Sequence, residues 1–437
     1  MESKKKVLLI SYYWPPAGGI ALLRALKTAK YLRDYGWEPI IFTAKDAHYP
    51  SLDPTSERDI PADLTVLKQK IWEPYHIYKF ITGKKKDANV NNVFYVQEDA
   101  QKWTHRLSVW IRSNFFIPDA RSLWVRPAVK FLTQYLEENP VDAIWSTGPP
   151  HTNNRIATLL RKRFDLPWIA DFQDPWTQVD YYQMLSLTKW GAAKHERMEQ
   201  EVFQHADICT IVSDTWKQDL QEIGAKRVEV LPLGFDRDDF KNLNQQVKNE
   251  FTFTHLGMMG YDRNPQVLFE VLRDLKDVIL DFDKHLKIRL IGMVDPRVNA
   301  AIEANNLTEN VEFIGSIPRD QALQKMLNSP ILLLLLNQQD NAKGRIPGKL
   351  FEYLYSRRPI FTLGPTDSDV AKILTETGGG MKCDYADYDG IKQEVLRLYQ
   401  LFLEQQISAA IDSKIDKYDV QLVTQEIAKI LNEIAEE

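Results

Sequence analysis

The feature that most constrains this chain is a recurring unit: a short unbroken apolar run, a turn, then an amphipathic segment. Val7-Leu8-Leu9-Ile10-Ser11 is the first run, without the polar alternation of a half-exposed strand, as expected for a strand covered on both faces. Tyr12-Tyr13-Trp14-Pro15-Pro16-Ala17-Gly18-Gly19 breaks it. Ile20, Leu23, Ala25, Leu26, Ala29, Tyr31 and Leu32 then fall on one helical face, and Gly36 suits the helix end. Residues 39–43 supply the next strand. Strand, helix, strand in that order predicts a parallel α/β sheet.

The unit repeats in two series. Runs at 141–147, 167–172, 206–213 and 228–232 continue the first. A polar stretch at 236–249, rich in Asp, Asn, Gln and Lys, reads as a linker. The pattern then restarts with runs at 251–257, 286–292, 311–315, 331–336 and 359–363. The expectation is an α/β chain of two Rossmann-like domains, 1–240 and 241–415, facing each other across a cleft. A C-terminal helix in 416–437 would pack back on the first. Ligands of such sheets bind beyond the carboxyl ends of the strands.

Composition excludes several function classes. A formal net charge of −5 over 437 residues gives no basic excess for nucleic acid. Cys209 and Cys383, the only cysteines, form no C-x-x-C pair, so neither a zinc site nor a disulfide framework is expected, and the compartment reads as reducing. No run approaches the ~20 apolar residues of a membrane span, and the first run is too short for a secretory signal. A cytoplasmic location is expected, with no metal and no cofactor beyond a co-substrate.

Residues 67–130 do not fit the alternation. They contain Lys84-Lys85-Lys86 and, from 102 to 130, Lys102, Arg106, Arg112, Arg121, Arg126 and Lys130 against one acid, Asp119. Trp103, Leu107, Trp110, Ile111 and Phe115 approximate one helical face. Two readings stand: an insertion packing that face on the first domain, or a basic amphipathic helix at 101–131 lying on the inner membrane surface.

The sharpest motif is Gly344-Arg345-Ile346-Pro347-Gly348-Lys349-Leu350-Phe351-Glu352-Tyr353-Leu354, followed by Arg358-Pro359-Ile360. It follows a buried strand, and Pro347 suits a first helical turn. A helix N-terminus there, with Lys349 and Arg345, makes an anion site. A second cluster, Asp171-Phe172-Gln173-Asp174-Pro175-Trp176, also follows a strand. Asp174 could orient or deprotonate a hydroxyl, while Asp171 and Asp174 could equally cap a loop or helix. His151, in Gly148-Pro149-Pro150-His151, sits at a third strand-to-helix turn.

The Pro347–Leu354 string with Arg358-Pro359-Ile360 resembles the donor-site helix of family 4 glycosyltransferases, which have the GT-B fold. In that family two glutamates lie eight positions apart. Glu352 matches the second, which binds the nucleotide ribose; Gly344, flanked by Lys343 and Arg345, stands where the first would touch the donor sugar. Gly18-Gly19 resembles the family's glycine loop near the donor phosphates, where a missing Cβ permits close approach. Leu256-Gly257 and the loop after it resemble the start of the family's second domain. Met258 replaces the usual Arg, and Arg263 lies close to the usual Lys for the diphosphate. Phe313-Ile314-Gly315-Ser316-Ile317-Pro318 resembles the loop that holds the base, placing Ile317 there. Gln173 occupies the position where many members keep a histidine, within a D-x-x-D-P-W string seen in a polysaccharide-assembly branch.

The resemblance implies a hexosyltransferase-type enzyme. A nucleotide-sugar donor would react with a glycan or lipid-linked glycan acceptor, with retention and without a required metal, by front-face attack assisted by a donor phosphate oxygen. Catalytic candidates are Asp174, Gln173, His151 and Asp171. Donor-binding candidates are Gly18, Gly19, Arg263, Ile317, Arg345, Gly348, Lys349 and Glu352. Two rivals remain on the same scaffold: a nucleotide-sugar epimerase, and a noncatalytic nucleotide-sugar or glycan binder.

Overall fold

The computed structural model describes residues 4–73, 103–179, 182–339, 342–407 and 413–436; Lys84-Lys85-Lys86 and Lys102 lie outside them. The chain forms two compact units, one of Met1–Leu233 with Val420–Glu437, the other of Gly234–Asp419.

The first unit is built on strands β1 (Lys5–Ile10), β2 (Trp37–Lys45), β3 (Thr65–Lys70), β4 (Ala143–Gly148), β5 (Trp168–Phe172), β6 (Ile208–Ile211) and β7 (Val228–Val230). Their order is β3-β2-β1-β4-β5-β6-β7, and every pair is parallel. Helices α1 (Ile20–Tyr31), α2 (Trp103–Phe115), α3 (Val125–Glu138), α4 (Thr152–Phe164), α5 (Lys189–His205) and α6 (Asp214–Glu222) belong to the same unit. The period of two along β1 divides the core. Val7 and Leu9 join the cluster containing Leu22, Leu26 and Ala29 of α1. Leu8 and Ile10 join the cluster containing Ala128 and Leu132 of α3 and Ile156 and Leu160 of α4. Both faces of the sheet are therefore covered, which is why its strands read as unbroken apolar runs.

The second unit repeats the plan with β8 (Phe251–Leu256), β9 (Leu286–Ile291), β10 (Val311–Gly315), β11 (Ile331–Leu335), β12 (Ile360–Leu363) and β13 (Gly380–Cys383). The order is β10-β9-β8-β11-β12-β13, again all parallel. Its helices are α7 (Gln266–Val278), the single turn α8 (Phe282–His285), α9 (Pro296–Ala304), α10 (Arg319–Leu327), α11 (Lys349–Ser356), α12 (Asp369–Thr377) and α13 (Tyr388–Leu403). Strand order reverses between β1 and β4 in one sheet and between β8 and β11 in the other, and these are the places where open α/β sheets hold ligands.

The last helix, α14 (Val420–Glu436), is part of the first unit. Ile427, Leu431 and Ile434 enter the Val7/Leu9 cluster, and Trp37 Nε1 donates to Asn432 Oδ1 at 3.1 Å.

Four points differ from the sequence expectation. The chain passes between units at 233/234 and 419/420 rather than at 240/241 and 415/416. The polar stretch 236–249 is not a linker but part of the second unit. Asn244 N–H donates to Gln324 Oε1 and Gln246 N–H to Asn328 Oδ1, while Gln245 Nε2 donates to the Ser356 carbonyl. Its polar side chains serve as local partners, so composition alone misread it. The edge strand β3, with exposed Lys68 and Lys70, was missed because an edge strand has little apolar character and carries protective lysines. Gly378, at φ 63°, ends α12, and β13, which is not among the expected strands, begins two residues later. A Cβ on Gly380 would stand 2.0 Å from the Ile360 carbonyl oxygen, so Gly380 is a close-approach position within the sheet.

The segment 101–131 divides. Trp124 is fully buried and stacked on Phe42 with ring centroids 5.2 Å apart. Arg121 is buried over the Tyr12 ring and paired with Glu73 at 3.4 Å. The part from 117 onward therefore packs on the first unit through Arg121 and Trp124, while Leu123, Arg126 and Lys130 face outward. On α2, Leu107, Trp110, Ile111 and Phe115 are exposed, whereas Ser113 and Asn114 are buried.

Candidate functional site

In the second unit the candidate residues gather at the β8/β11 reversal. Beyond β8 the chain turns at Gly257, whose φ of 98° favours glycine, and Gly257 N–H bonds the Ile291 carbonyl at 2.7 Å. The following loop carries Arg263. Its Nε donates to Oδ1 of Asn337, just beyond β11, at 2.8 Å, so Arg263 bridges the two loops that flank the reversal. Asp262 Oδ2 lies 3.9 Å away.

After a single turn at 342–344, Pro347 and Gly348 lead into α11. Leu350 N–H bonds the Pro347 carbonyl and Phe351 N–H the Gly348 carbonyl, closing the first turn. Lys349 does not project into water: its ammonium donates to the Leu256 carbonyl and sits 3.1 Å from where a Gly257 Cβ would be. A side chain at 257 would crowd it. Burial and the neighbouring Arg263 push the Lys349 pKa down to about 7, against the opposing pull of Glu352. Burial and the nearby Lys349 also hold His255 well below its ordinary pKa, hence neutral. Tyr353 accepts the Leu256 N–H on its hydroxyl at 3.0 Å, which fixes α11 against the end of β8.

Glu352 is buried, and Arg319 Nη1 donates to its Oε1 at 2.5 Å. Arg319 Nη2 donates to Asp239 Oδ2 at 2.8 Å. Burial opposes the Arg319 charge, yet Glu352 and Asp239 outweigh that and raise its pKa above the ordinary value. The structure thus brings together Lys349, Arg263, Glu352 and Gly348. Ile317 is half-buried in the loop between β10 and α10, two residues before Arg319. Gly344 is buried. Its neighbour Lys343 is paired with Asp367, and Arg345 is half-buried with its N–H on the Ala342 carbonyl.

In the first unit, Gly18 and Gly19 end the β1 loop. Gly18 N–H bonds the Ser51 carbonyl at 2.9 Å, and a Cβ at Gly18 would stand 2.9 Å from Ser51 Oγ. Gly19 has φ 93°. At the end of β5, Asp171 is fully buried and saturated. Arg24 Nη2 and Thr210 Oγ1 donate to Oδ1, and Thr147 Oγ1 to Oδ2, each at 2.7 Å; Arg24 Nε reaches Oδ2 at 3.3 Å. Asp171 therefore neither caps a helix nor has a lone pair to spare; it pins α1 to three strands. Gln173 is buried, with Nε2 on Thr147 Oγ1 at 3.0 Å and N–H on the Gly148 carbonyl at 2.7 Å.

His151 stacks on Trp176, centroids 4.7 Å apart and planes 3° from parallel. Burial and the nearby His195 push its pKa down to about 3, against a backbone hydrogen bond at Pro175. It is neutral at physiological pH and can exchange hydrogen bonds but carry no charge. Trp176 Nε1 donates to His195 Nδ1 at 2.9 Å, and Glu199 takes Thr177 N–H and Oγ1. Asp174 is half-buried, the most accessible of the four catalytic candidates.

Sequence reasoning missed Arg319, Asp239, Asn337, Arg24, His195 and Glu199. Only Arg319 left a signal: a cation at the first position of a helix opposes the macrodipole, so a local anion was implied.

Three comparisons bear on this geometry. Residues 19–234 match the glycosyl transferase 4-like domain. No curated protein matches the chain in sequence. Among solved structures, an E. coli trehalose-6-phosphate protein bound with UDP-2-fluoro glucose has TM-score 0.61 at 12% identity, covering 98% of both chains. A mutant of S. aureus TarM, in complex with fondaparinux, alpha-GlcNAc-glycerol and UDP, has TM-score 0.60 at 10% identity, covering 98% of this chain and 100% of its own. A putative UDP-N-acetylglucosamine 2-epimerase from Listeria monocytogenes has TM-score 0.55 at 12% identity, covering 99% and 98%. Such identities speak to fold alone. With the two sheets, each ordered as a Rossmann sheet, they show a two-domain α/β GT-B fold in which residues 19–234 match the glycosyl transferase 4-like domain.

Proposed function

We propose that the protein transfers a hexose from a nucleoside-diphosphate sugar, with retention, to a glycan or lipid-linked glycan in surface polysaccharide or glycoconjugate assembly. The observation that carries this is the pairing of two cations, Lys349 and Arg263, at the β8/β11 reversal, with the buried Glu352 on the same helix as Lys349. A leaving diphosphate gains negative charge as the glycosidic bond breaks. Cations fixed in a partly desolvated site stabilise that charge without reorganising. Glu352 accepts from the ribose, and Gly348 and the start of α11 offer backbone N–H groups. Gly18 and Gly19 let backbone approach the donor, Ile317 lines the base loop, and Arg345 stands beside the position of the absent first glutamate.

On the acceptor side, Asp174 is the residue we assign to orienting the hydroxyl. His151 and Gln173 shape its surroundings as neutral groups, and Asp171 supports them from behind by holding Arg24, Thr147 and Thr210. An acceptor carried on a lipid in a membrane surface fits the exposed aromatic face of α2. No helix among the described residues is long and apolar enough to cross a membrane.

The test is nucleotide release from a panel of UDP-, GDP- and other nucleotide-sugars, with and without lipid-extract acceptors. Release that depends on acceptor, lost in Arg263→Ala with the melting temperature unchanged, supports the transferase. Equal turnover in that variant removes Arg263 from the site. The likeness to a putative epimerase motivates a second reading, and turnover of a nucleotide-sugar without acceptor and without net nucleotide release would favour it.

A further inference from the structure

Arg319 occupies an electrostatically awkward position. It is the first residue of α10, where the helix dipole disfavours a cation. It is kept there by two buried carboxylates, Glu352 on Nη1 at 2.5 Å and Asp239 on Nη2 at 2.8 Å. The guanidinium is planar and rigid, so anchoring one nitrogen on Asp239 fixes the direction in which the other meets Glu352. Asp239 is itself held, its N–H on the Asp236 carbonyl at 3.0 Å. The Glu352 carboxylate is therefore tied through Oε1, while among the described residues Oε2 has no hydrogen-bond partner.

We infer that Arg319 is a positioning residue: it locks the Glu352 carboxylate by one oxygen so that the other is presented to a hydroxyl of the ligand's ribose. This rests on the reading of the site as a nucleoside-diphosphate site. A carboxylate left to rotate in that buried place would have no preferred direction in which to accept a ribose hydroxyl. The lock turns it into a directional acceptor and lets it discriminate ribose from deoxyribose. Asp239, through Arg319, is the outer anchor of the same device.

The experiment is calorimetric binding of UDP, GDP and ADP, and of their 2′-deoxy counterparts, to the full-length protein and to Arg319→Gln and Arg319→Lys, with thermal melts of each. The wild type is expected to bind its preferred ribonucleotide about tenfold more tightly than the deoxy form, the size of one hydrogen bond to a charged group. In Arg319→Gln that ratio falls toward one, because affinity for the ribonucleotide drops while affinity for the deoxy form barely moves. Arg319→Lys, which keeps the charge and protects the fold, restores part of the ratio. Equal losses for both ligands in both folded variants would overturn the inference and leave Arg319 a structural residue. A wild type that binds one of the nucleotides with no ribose preference would overturn it too, while the donor-site reading survives. A wild type that binds none of them defeats both.

Discussion

The ammonium of Lys349 is hydrogen-bonded to the carbonyl of Leu256, so the first residue of α11 reaches back to the last residue of β8. The contact buries the charge beside Arg263, and its pKa falls to about 7. In the free protein the ammonium population declines above pH 7. A bound diphosphate favours the charged form, so binding above that pH takes up a proton. Affinity for the preferred nucleoside diphosphate should fall as pH rises from 7 to 9, by up to about tenfold per unit. The terminal phosphate is already ionised there, so it adds no slope of its own. Lys349→Met should bind more weakly at pH 7 and show no slope. Calorimetry at several pH values decides it, and a slope that persists in Lys349→Met would place the titrating group elsewhere.

Asp171 gathers Arg24, Thr147 and Thr210 at the carboxyl edge of the first sheet. Arg24 in turn holds the Pro232 carbonyl at 2.7 Å. Removing one member of a buried pair leaves the other charge uncompensated. Asp171→Ala should therefore cost about 3–5 kcal/mol of stability, measured by urea unfolding. The Arg24→Met/Asp171→Leu double variant should recover a large part of it. A cost below about 1 kcal/mol would mean that water replaces the lost partner.

The fold was legible wherever burial was two-sided. Val7-Leu8-Leu9-Ile10 and Ile331-Leu332-Leu333-Leu334-Leu335 had to be apolar throughout, since each face of their sheets is packed. The edge strand at Thr65–Lys70 escaped because it answers to solubility as much as to packing. The polar stretch at 236–249 escaped because its side chains satisfy neighbours within the unit, which composition cannot register. At the site, Lys349 and Glu352 were readable because one helical turn holds both. Arg319 and Asp239 lie 33 and 113 residues from Glu352, and only folding brings them to it. Asp171 stood out as an acid beside a strand end, but the structure places it inside β5 with partners from α1, β4 and β6, so its role became visible only with tertiary structure.

Glu199 supplies a stability test independent of any ligand. Burial lifts its pKa from 4.5 to about 7, against the hydrogen bonds from Thr177. Between those values the folded protein holds a proton that the unfolded chain has released. Stability from this group therefore falls as pH rises from about 4.5 to 7 and is fully lost above, a change of roughly 3 kcal/mol. Glu199→Gln keeps a carbonyl for Thr177 N–H and carries no charge. Its melting temperature relative to wild type should be more favourable at pH 8 than at pH 5. A difference that does not vary with pH would show that Glu199 titrates normally.

The outer face of α2 joins an aromatic cluster to a second helix. Asn114 donates to the Trp110 carbonyl at 2.8 Å and accepts Thr188 N–H and Oγ1 at 2.7 and 2.8 Å, so the end of α2 is pinned to the start of α5. A Cβ at Gly191 would stand 2.6 Å from Asn114 Oδ1, which explains the glycine there. Trp190 is 59% exposed beside this junction and Phe115 62%, with Trp110 edge-on to Phe115 at 5.7 Å. Lys194 lies over the Trp190 ring and Arg112 stands on α2. Large exposed aromatics with interleaved cations suit the headgroup region of an anionic bilayer, where a lipid-linked acceptor would reside. The protein should float with vesicles containing anionic lipid and stay behind with purely zwitterionic ones, with the bound fraction falling as salt rises. Trp110→Ser, Phe115→Ser and Trp190→Ser together should weaken binding at least tenfold, since each large side chain contributes about 1.5–3 kcal/mol on full burial. Turnover on a water-soluble acceptor should stay unchanged in the triple variant. Flotation of the triple variant equal to wild type would assign these rings to a protein contact instead of a lipid one.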